Sequence, residues 1–250
     1  MPSGGVKRSD DVSARKWTIR EQVWERLTNE RQAAFPFPIR LRIPNFRGAA
    51  EAAARFAELP EFQRARVVKV NPDAPQRLVR RLVLEHGKML LMPTPRLRGG
   101  FVRVDPGRLP KSSLAKAASI SGAFDLGETV ALDDLPHIDL LVFGSVAVTT
   151  KGGRLGKGEG FAELEYATLR QLDLIDESIP IATTVHDSQL VDDVPREDFD
   201  VPVDIIATPT RVIRTNAALP KPSGILWDCL APERLEEMPI LRELKDKSRR

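Results

Sequence analysis

The sequence predicts an α/β protein built on an open, mostly parallel sheet with helices on both faces, and three observations predict it. The apolar runs at residues 138–148, 181–185 and 203–207 lack period-two polarity, as expected of strands covered on both faces. Strand-like and helix-like segments alternate from residue 67 onward. A glycine-rich loop stands between an apolar run and a helix-like segment, the strand–loop–helix order from which anion sites are made.

Taking the elements in order, residues 13–34 read as an amphipathic helix in which Ile19, Val23 and Leu27 recur every four positions, with Ser13 as cap. Lys16 and Arg20 then share a neighbouring face. Pro36-Phe37-Pro38 is expected to end this helix, because proline lacks a donor and restricts the residue before it. An alanine-rich helix is expected over residues 46–59. A strand at 67–70, a helix at 75–86 and strands at 88–92 and 101–104 follow. Residues 161–172 are helix-like, Leu219 to Gly224 has linker composition, and residues 232–250 read as a short charged helix or tail. This divides the chain into a disordered N-terminus at 1–12, an α/β domain at 13–215, and a linker with tail at 216–250.

Composition bounds the function. The 250 residues are 42% hydrophobic and 29% charged, and no apolar run approaches the roughly 18 residues of a membrane span. The first ten residues lack the apolar stretch of a secretory signal. Cys229 is the single cysteine, which excludes an intramolecular disulfide and a cysteine-built zinc site and points to a reducing, cytoplasmic setting. Lys plus Arg exceed Asp plus Glu by only 38 to 35, and no aromatic RNA-binding motif is present, so nucleic acid is not the expected partner. A small-molecule substrate is; the sequence does not set the oligomeric state.

The sharpest local feature is Lys151-Gly152-Gly153-Arg154-Leu155-Gly156-Lys157-Gly158-Glu159-Gly160. Glycines let backbone amides approach an anion, the following helix N-terminus adds oriented N–H groups, and Arg154 and Lys157 add full charges. The pattern is neither a Walker A loop nor a dinucleotide fingerprint. On glycine content alone, a flexible surface loop and a phosphate cradle are equally good readings. Among the remaining candidates, His86 and His137 lack metal-ligand company and read as structural, whereas His186 beside Asp187 could titrate near neutrality. Of Arg96, Arg98 and Arg103, the last lies in a strand-like stretch and is the preferred partner for a substrate carboxylate.

Gly153 to Phe161 resembles the ATP loop of the 5-formyltetrahydrofolate cyclo-ligase family, typically G-x-R-L-G-x-G-x-G-[YF]-Y-D. That family also carries K-x-x-x-R on an N-terminal helix, matched here by Lys16 and Arg20, whose i,i+4 spacing lets both cations meet one phosphate group. His186-Asp187-Ser188-Gln189, Asp200-Val201-Pro202-Val203-Asp204 and Thr208 extend the likeness to residue 213. The wording Gly-Lys-Gly-Glu-Gly and the segment Gly224-Ile225-Leu226-Trp227 are similar to a longer, divergent branch of the family.

The resemblance implies a NagB/RpiA/CoA-transferase-like fold and an ATP- and Mg2+-dependent reaction. In that reaction the formyl oxygen of 5-formyltetrahydrofolate is phosphorylated, N10 attacks the activated carbon, and phosphate leaves to give 5,10-methenyltetrahydrofolate. It implies ATP binding by Lys16, Arg20, Gly153, Arg154, Leu155, Gly156, Lys157, Gly158, Glu159, Gly160 and Phe161, with Arg154 and Lys157 catalytic. It implies magnesium at Glu163, which stands where the family has Asp, and at Asp200. The chain departs from the pattern after its first main strand, where the family's folate-recognising Glu is absent from Asn71-Pro72-Asp73-Ala74-Pro75-Gln76, leaving Asp73 as the substitute. The family's proline-glycine turn and Asp before the loop are Gly144-Ser145 and Thr149 here. Three readings follow: the cyclo-ligase with a reduced folate as substrate, the same ATP site with another small substrate such as a thiamine-related one, and a nucleotide-binding module without catalysis.

Overall fold

The computed structural model describes residues 10–216 and 219–247. Helix α1 (Asp10–Asn29) leads into a two-stranded ribbon of β1 (Ala33–Ala34) and β2 (Asn45–Phe46), followed by α2 (Ala49–Ala57) and α3 (Pro60–Arg64). Strand β3 (Val67–Val70), α4 (Arg77–Glu85), β4 (Met89–Pro93) and β5 (Phe101–Val104) come next, then α5 (Leu114–Ala117), α6 (Ile120–Leu126) and β6 (Glu128–Val130). The second half contains β7 (Leu140–Phe143), the short pair β8 (Ala147–Val148) and β9 (Arg154–Leu155), α7 (Phe161–Gln171), β10 (Ile181–Thr184), β11 (Ile205–Ala207) and β12 (Val212–Arg214). Helices α8 (Pro232–Glu237) and α9 (Pro239–Lys247) close the described chain.

Eight strands form one sheet in the order β12-β11-β10-β7-β3-β4-β5-β6. The central strands β11, β10, β7, β3 and β4 are parallel, while β12 pairs antiparallel with β11 on one side and β5 antiparallel with β4 on the other, with β6 in turn antiparallel to β5. The expected mostly parallel sheet is therefore present. Strand β7 explains the sequence signal: Leu141 and Phe143 belong to a core shared with α7 and α9, whereas Leu140 and Val142 belong to the opposite core, shared with α2, α4, α5 and α6. A strand buried on both faces needs apolar residues at consecutive positions. Full burial of Phe56, Val79 and Val83 on the second face stabilises by about 1.5–3 kcal/mol per side chain. Among the described residues no helix is long and apolar enough to cross a membrane.

Several boundaries differ from those expected, each for a local reason. Helix α1 is already under way at Asp10, so Ser13 lies inside it and is not its cap, and residues 10–12 are helical. The expected disorder of the remaining N-terminal residues falls outside the described chain. The helix stops before the prolines. Arg31 takes a left-handed φ of 56°, Gln32 N–H donates to Leu27 O at 2.8 Å and Arg31 N–H to Thr28 O at 3.0 Å, the paired bonds that satisfy a helix C-terminus. The run at 138–148 is two strands: β7 ends at Phe143, and β8 leaves the sheet to pair antiparallel with β9. The tail is not loose, since Met238, Leu241 and Leu244 are buried in the core beneath α7.

Candidate nucleotide and substrate site

A cavity of about 970 Å³ lies over the carboxyl ends of β3, β4 and β7, walled by Asn71 to Ala74, Pro93 to Arg96 and Gly144, the residues at or just beyond the ends of those strands. Strands β3 and β7 are neighbours, but the chain goes from β3 to β4 on one side and returns to β7 on the other. Their junction is the switch point at which open α/β sheets leave a crevice. Gly144 permits this crevice, because a Cβ there would meet Asp73 Oδ2 at 2.5 Å and Ile43 Cγ1 at 3.0 Å.

The glycine-rich loop forms one wall. Leu155 to Glu163 line the cavity continuously, and Gly160 begins α7 without a side-chain cap, which leaves the first-turn N–H groups to an external acceptor. Helix α1 lies against this loop through ordinary apolar packing of Val23, Trp24 and Leu27 with Ala147 and Leu155. That packing brings Lys16 and Arg20 to the same wall. Arg20 Nε donates to Gly156 O at 2.7 Å, and its guanidinium carbon lies 3.5 Å from where a Cβ would project at Gly158, whose φ of 104° already disfavours any side chain. Lys16 is buried, donating to Glu197 at 2.9 Å and to Asp200 at 2.5 Å.

Arg154 is committed on all sides. Its Nε donates to Val201 O at 3.1 Å, Nη1 to Gly144 O at 2.9 Å, and Nη2 is ion-paired with Glu163. With its guanidinium also over the Phe143 ring, the side chain links β9, the end of β7, the 201 segment and α7. The guanidinium that the resemblance implies for ATP is thus already occupied by protein acceptors. Glu163 and Asp200 both line the cavity. Burial raises the Asp200 carboxyl above its ordinary range, Lys16 opposes this, and the nearby Glu163 charge adds to it. Lys157 is half-exposed and pairs with Glu159 at 2.8 Å.

Asp73 also lines the cavity, beside Gly144, and among the described residues its carboxylate makes no side-chain hydrogen bond. Burial raises it, while Lys157, Arg80, Lys69 and Arg154 pull it down. Arg103 is not brought to the site. It stands opposite Glu128 on β6 and donates to that carboxylate at 2.7 Å, so a cross-strand ion pair at the sheet's edge absorbs the charge expected to meet a substrate. Gly153 is likewise outside the cavity wall; its N–H donates to Thr149 Oγ1 at 2.9 Å and closes the β8–β9 turn. His186 takes a local role, its Nδ1 accepting from Ser188 N–H.

Sequence reasoning missed a buried pair beneath the cavity. Lys69 on β3 is fully enclosed, ion-paired with Glu165 of α7, bonded to Asn71 Oδ1 at 2.6 Å and placed over the Phe143 ring. Burial lowers the Lys69 pKa and raises that of Glu165, each opposed by the charge of the other. A lysine between Val68 and Val70 in a strand meant for burial on both faces was the available signal.

Fold and cavity together define a doubly wound α/β protein with a glycine-rich, cation-walled pocket at its switch point. Residues 12–209 match the model of the 5-formyltetrahydrofolate cyclo-ligase family, and the chain belongs to that family. It is 46% identical over 249 residues to the methenyltetrahydrofolate synthase domain-containing protein of Bos taurus, covering 98% of this chain and 63% of that protein. With the same-named protein of Mus musculus it shares 47% identity over 239 residues, covering 94% and 64% of the two chains. The chain therefore spans less than two thirds of the length of these curated relatives. Its fold is similar to the solution structure of the 5,10-methenyltetrahydrofolate synthetase of Aquifex aeolicus, with a TM-score of 0.52 at 19% identity over 82% of this chain and 95% of that one.

Proposed function

We propose that this chain is an ATP-dependent cyclo-ligase converting 5-formyltetrahydrofolate to 5,10-methenyltetrahydrofolate, with ADP and phosphate as the other products. One observation carries the proposal: the two cations of α1 and the glycine-rich loop, far apart in sequence, line one cavity together with the carboxylate of Asp73. A pterin ring presents its N3–H and 2-amino group as adjacent donors, which a carboxylate accepts as a pair. Asp73 fills that role, with a shorter arm than the Glu of the family pattern.

An amide oxygen is a poor leaving group, and its phosphorylation makes the formyl carbon open to attack by N10, after which phosphate departs and N10 gives up its proton. Catalysis of such a transfer rests on holding donor and acceptor in line and on neutralising the transferred group. Arg20, Lys157 and the first-turn amides of α7 take the phosphates. Arg154 acts through its neighbours, fixing Gly144 O, Val201 O and the Glu163 carboxylate, and so is a positioning residue. Magnesium binds through one or two carboxylates with the rest of its shell from phosphate and water. Glu163, ion-paired with Arg154, and Asp200, ion-paired with Lys16, both line the cavity and fit that donor set. When bound there the ion neutralises phosphate charge. The single cysteine supports a reducing, cytoplasmic setting for the reaction.

The second reading keeps the ATP site and changes the substrate. It is favoured by the absence of a Glu after β3. Purified protein incubated with MgATP and 5-formyltetrahydrofolate should develop the absorbance of the methenyl product. ATP hydrolysis or binding without that product selects the second reading, and absence of ATP binding rejects both.

A further inference from the structure

Two arginines from opposite ends of the chain grip carbonyls of the glycine-rich loop. Arg20 on α1 donates through Nε to Gly156 O at 2.7 Å. Arg234 on α8 donates through Nη2 to Glu159 O and through Nη1 to Glu237 at 2.7 Å, and its guanidinium carbon stands 4.6 Å from the centre of the Phe161 ring. Arg234 is 4% exposed and is not part of the cavity wall, so it holds the loop from behind. It also lies beyond residue 209, where the match to the family model ends, in the tail that Met238, Leu241 and Leu244 anchor in the core. Glu237 alone would neutralise its charge; the bond to Glu159 O ties the tail to the site.

The loop needs such a hold. Gly158 and Gly160 take left-handed φ values of 104° and 75° on either side of Glu159, and glycine loses more conformational freedom on ordering than any other residue. In a planar trans peptide the C=O and the following N–H point in opposite directions. A donor fixed on Gly156 O therefore aims the Lys157 N–H away from Arg20, and one fixed on Glu159 O aims the Gly160 N–H away from Arg234. Among the described residues neither N–H has a backbone acceptor, and both residues line the cavity. Successive N–H groups held in this way make a concavity for an anion.

We infer that Arg234 is a positioning residue for the anion-binding edge of the glycine-rich loop, fixing the Glu159–Gly160 peptide and the Phe161 ring at the start of α7, so that the tail beyond the family match completes the nucleotide site. That the anion is the phosphate chain of ATP rests on the proposed function; the hold on the loop does not.

The test compares Arg234→Ala and Arg234→Lys with Leu244→Ala, which loosens the packing of the tail and leaves Arg234 in place. Each full-length variant is measured well below its melting temperature, by hydrogen exchange and by calorimetric titration with MgATP. The amides to follow are the first hydrogen-bonded ones of α7, beginning with Leu164 N–H, which donates to Gly160 O at 3.1 Å. In Arg234→Ala their exchange should quicken about 10-fold and MgATP affinity should fall about 10-fold, the lower end for losing a hydrogen bond from a charged donor. Leu244→Ala should melt earlier with MgATP affinity within about twofold of wild type. Arg234→Lys keeps a donor for Glu159 O without the planar fork and should recover part of the affinity. Where methenyl product forms, KM for ATP should rise in Arg234→Ala and KM for the folate should not. Unchanged exchange in Arg234→Ala, unchanged MgATP affinity in it, or an equal loss of affinity in Leu244→Ala would each overturn the positioning role. Should Arg234→Ala fail to fold, Arg234→Lys decides in its place, with a smaller loss of the same kind expected and wild-type exchange and affinity refuting the role. A wild type that binds no MgATP rejects the nucleotide reading alone, and the exchange measurement then decides whether Arg234 holds the loop.

Discussion

Replacing Arg154 by Ala separates two roles that the sequence motif cannot. If the guanidinium clasps phosphate, its loss removes stabilisation of roughly 2.7–4 kcal/mol from the transition state, the scale for one preorganised donor, with little change in folding. The geometry predicts otherwise. The side chain is buried and bonded to Val201 O, Gly144 O and Glu163, so Ala takes a buried donor from two carbonyls and a cation from a carboxylate. Removing one partner of a buried pair costs about 3–5 kcal/mol. At about 2–4 °C per kcal/mol for a domain of this size, the melting temperature should fall by about 6–20 °C. Adding Glu163→Ala to Arg154→Ala removes the carboxylate that has lost its guanidinium and should recover part of that loss, whereas a phosphate-clasping arginine predicts no recovery. Arg154→Lys restores one bond of the three and should fall between. The assay is a thermal melt of each variant beside a calorimetric ATP titration. A melting temperature within about 2 °C of wild type together with lost ATP affinity would refute the positioning role and return Arg154 to the phosphates.

Three further outcomes follow from the same geometry. Lys69→Met strands the Glu165 carboxylate and should destabilise by about 3–5 kcal/mol in a denaturant melt, while Lys69→Met with Glu165→Leu should regain most of it; a double variant no better than the single would contradict a dominant pair interaction. Gly144→Ala places a Cβ against the Asp73 carboxylate and should raise KM for the folate while leaving ATP affinity intact, so equal losses for both ligands would argue against separate walls. Asp73 has a raised pKa, so the folded state holds its proton more tightly than the unfolded chain does, and its ionisation opposes folding as pH rises through the raised value. Asp73→Asn should therefore increase stability near neutral pH, with the gain vanishing below the ordinary carboxylate value of 3.8, and a gain that persists in acid would show a different cause.

The sheet was legible because its physics is local. Strands buried on both faces must be apolar at every position, and β3, β4, β5, β7, β10 and β11 were all found by that signature or by alternation with helices. What escaped depends on partners distant in sequence. Strand β12 pairs only with β11, and its residues Val212 to Arg214 are partly exposed, so no apolar run marks it. The run at 138–148 breaks after Phe143, where Gly144 lies close to Asp73 in the loop after β3, a neighbour distant in sequence. Helix α1 ends where Arg31 adopts a left-handed turn, which a general preference for glycine there does not anticipate.

The site divides along the same line. Spacing alone placed Lys16 and Arg20 on one helical face, and the family resemblance, not spacing, implied that the glycine-rich loop lies beside them, where both line the cavity. Spacing could not say which charges face each other across the cavity. Arg154 and Glu163, read from the motif as a phosphate ligand and a metal ligand, are partners; Lys16, read as a phosphate ligand, holds Asp200, read as a metal ligand. Each cation so read therefore already neutralises the carboxylate that would share the bound phosphate's surroundings. Under the proposed function, a nucleotide and a metal ion entering the cavity would have to compete for these partners or bind alongside them. Arg103 shows the opposite case, a cation whose strand-like setting was read correctly and whose partner, Glu128, sits one strand away at the sheet's edge. Residue type and local structure fix what a side chain is able to do, and the register of a neighbouring strand decides whether it is left free to do it.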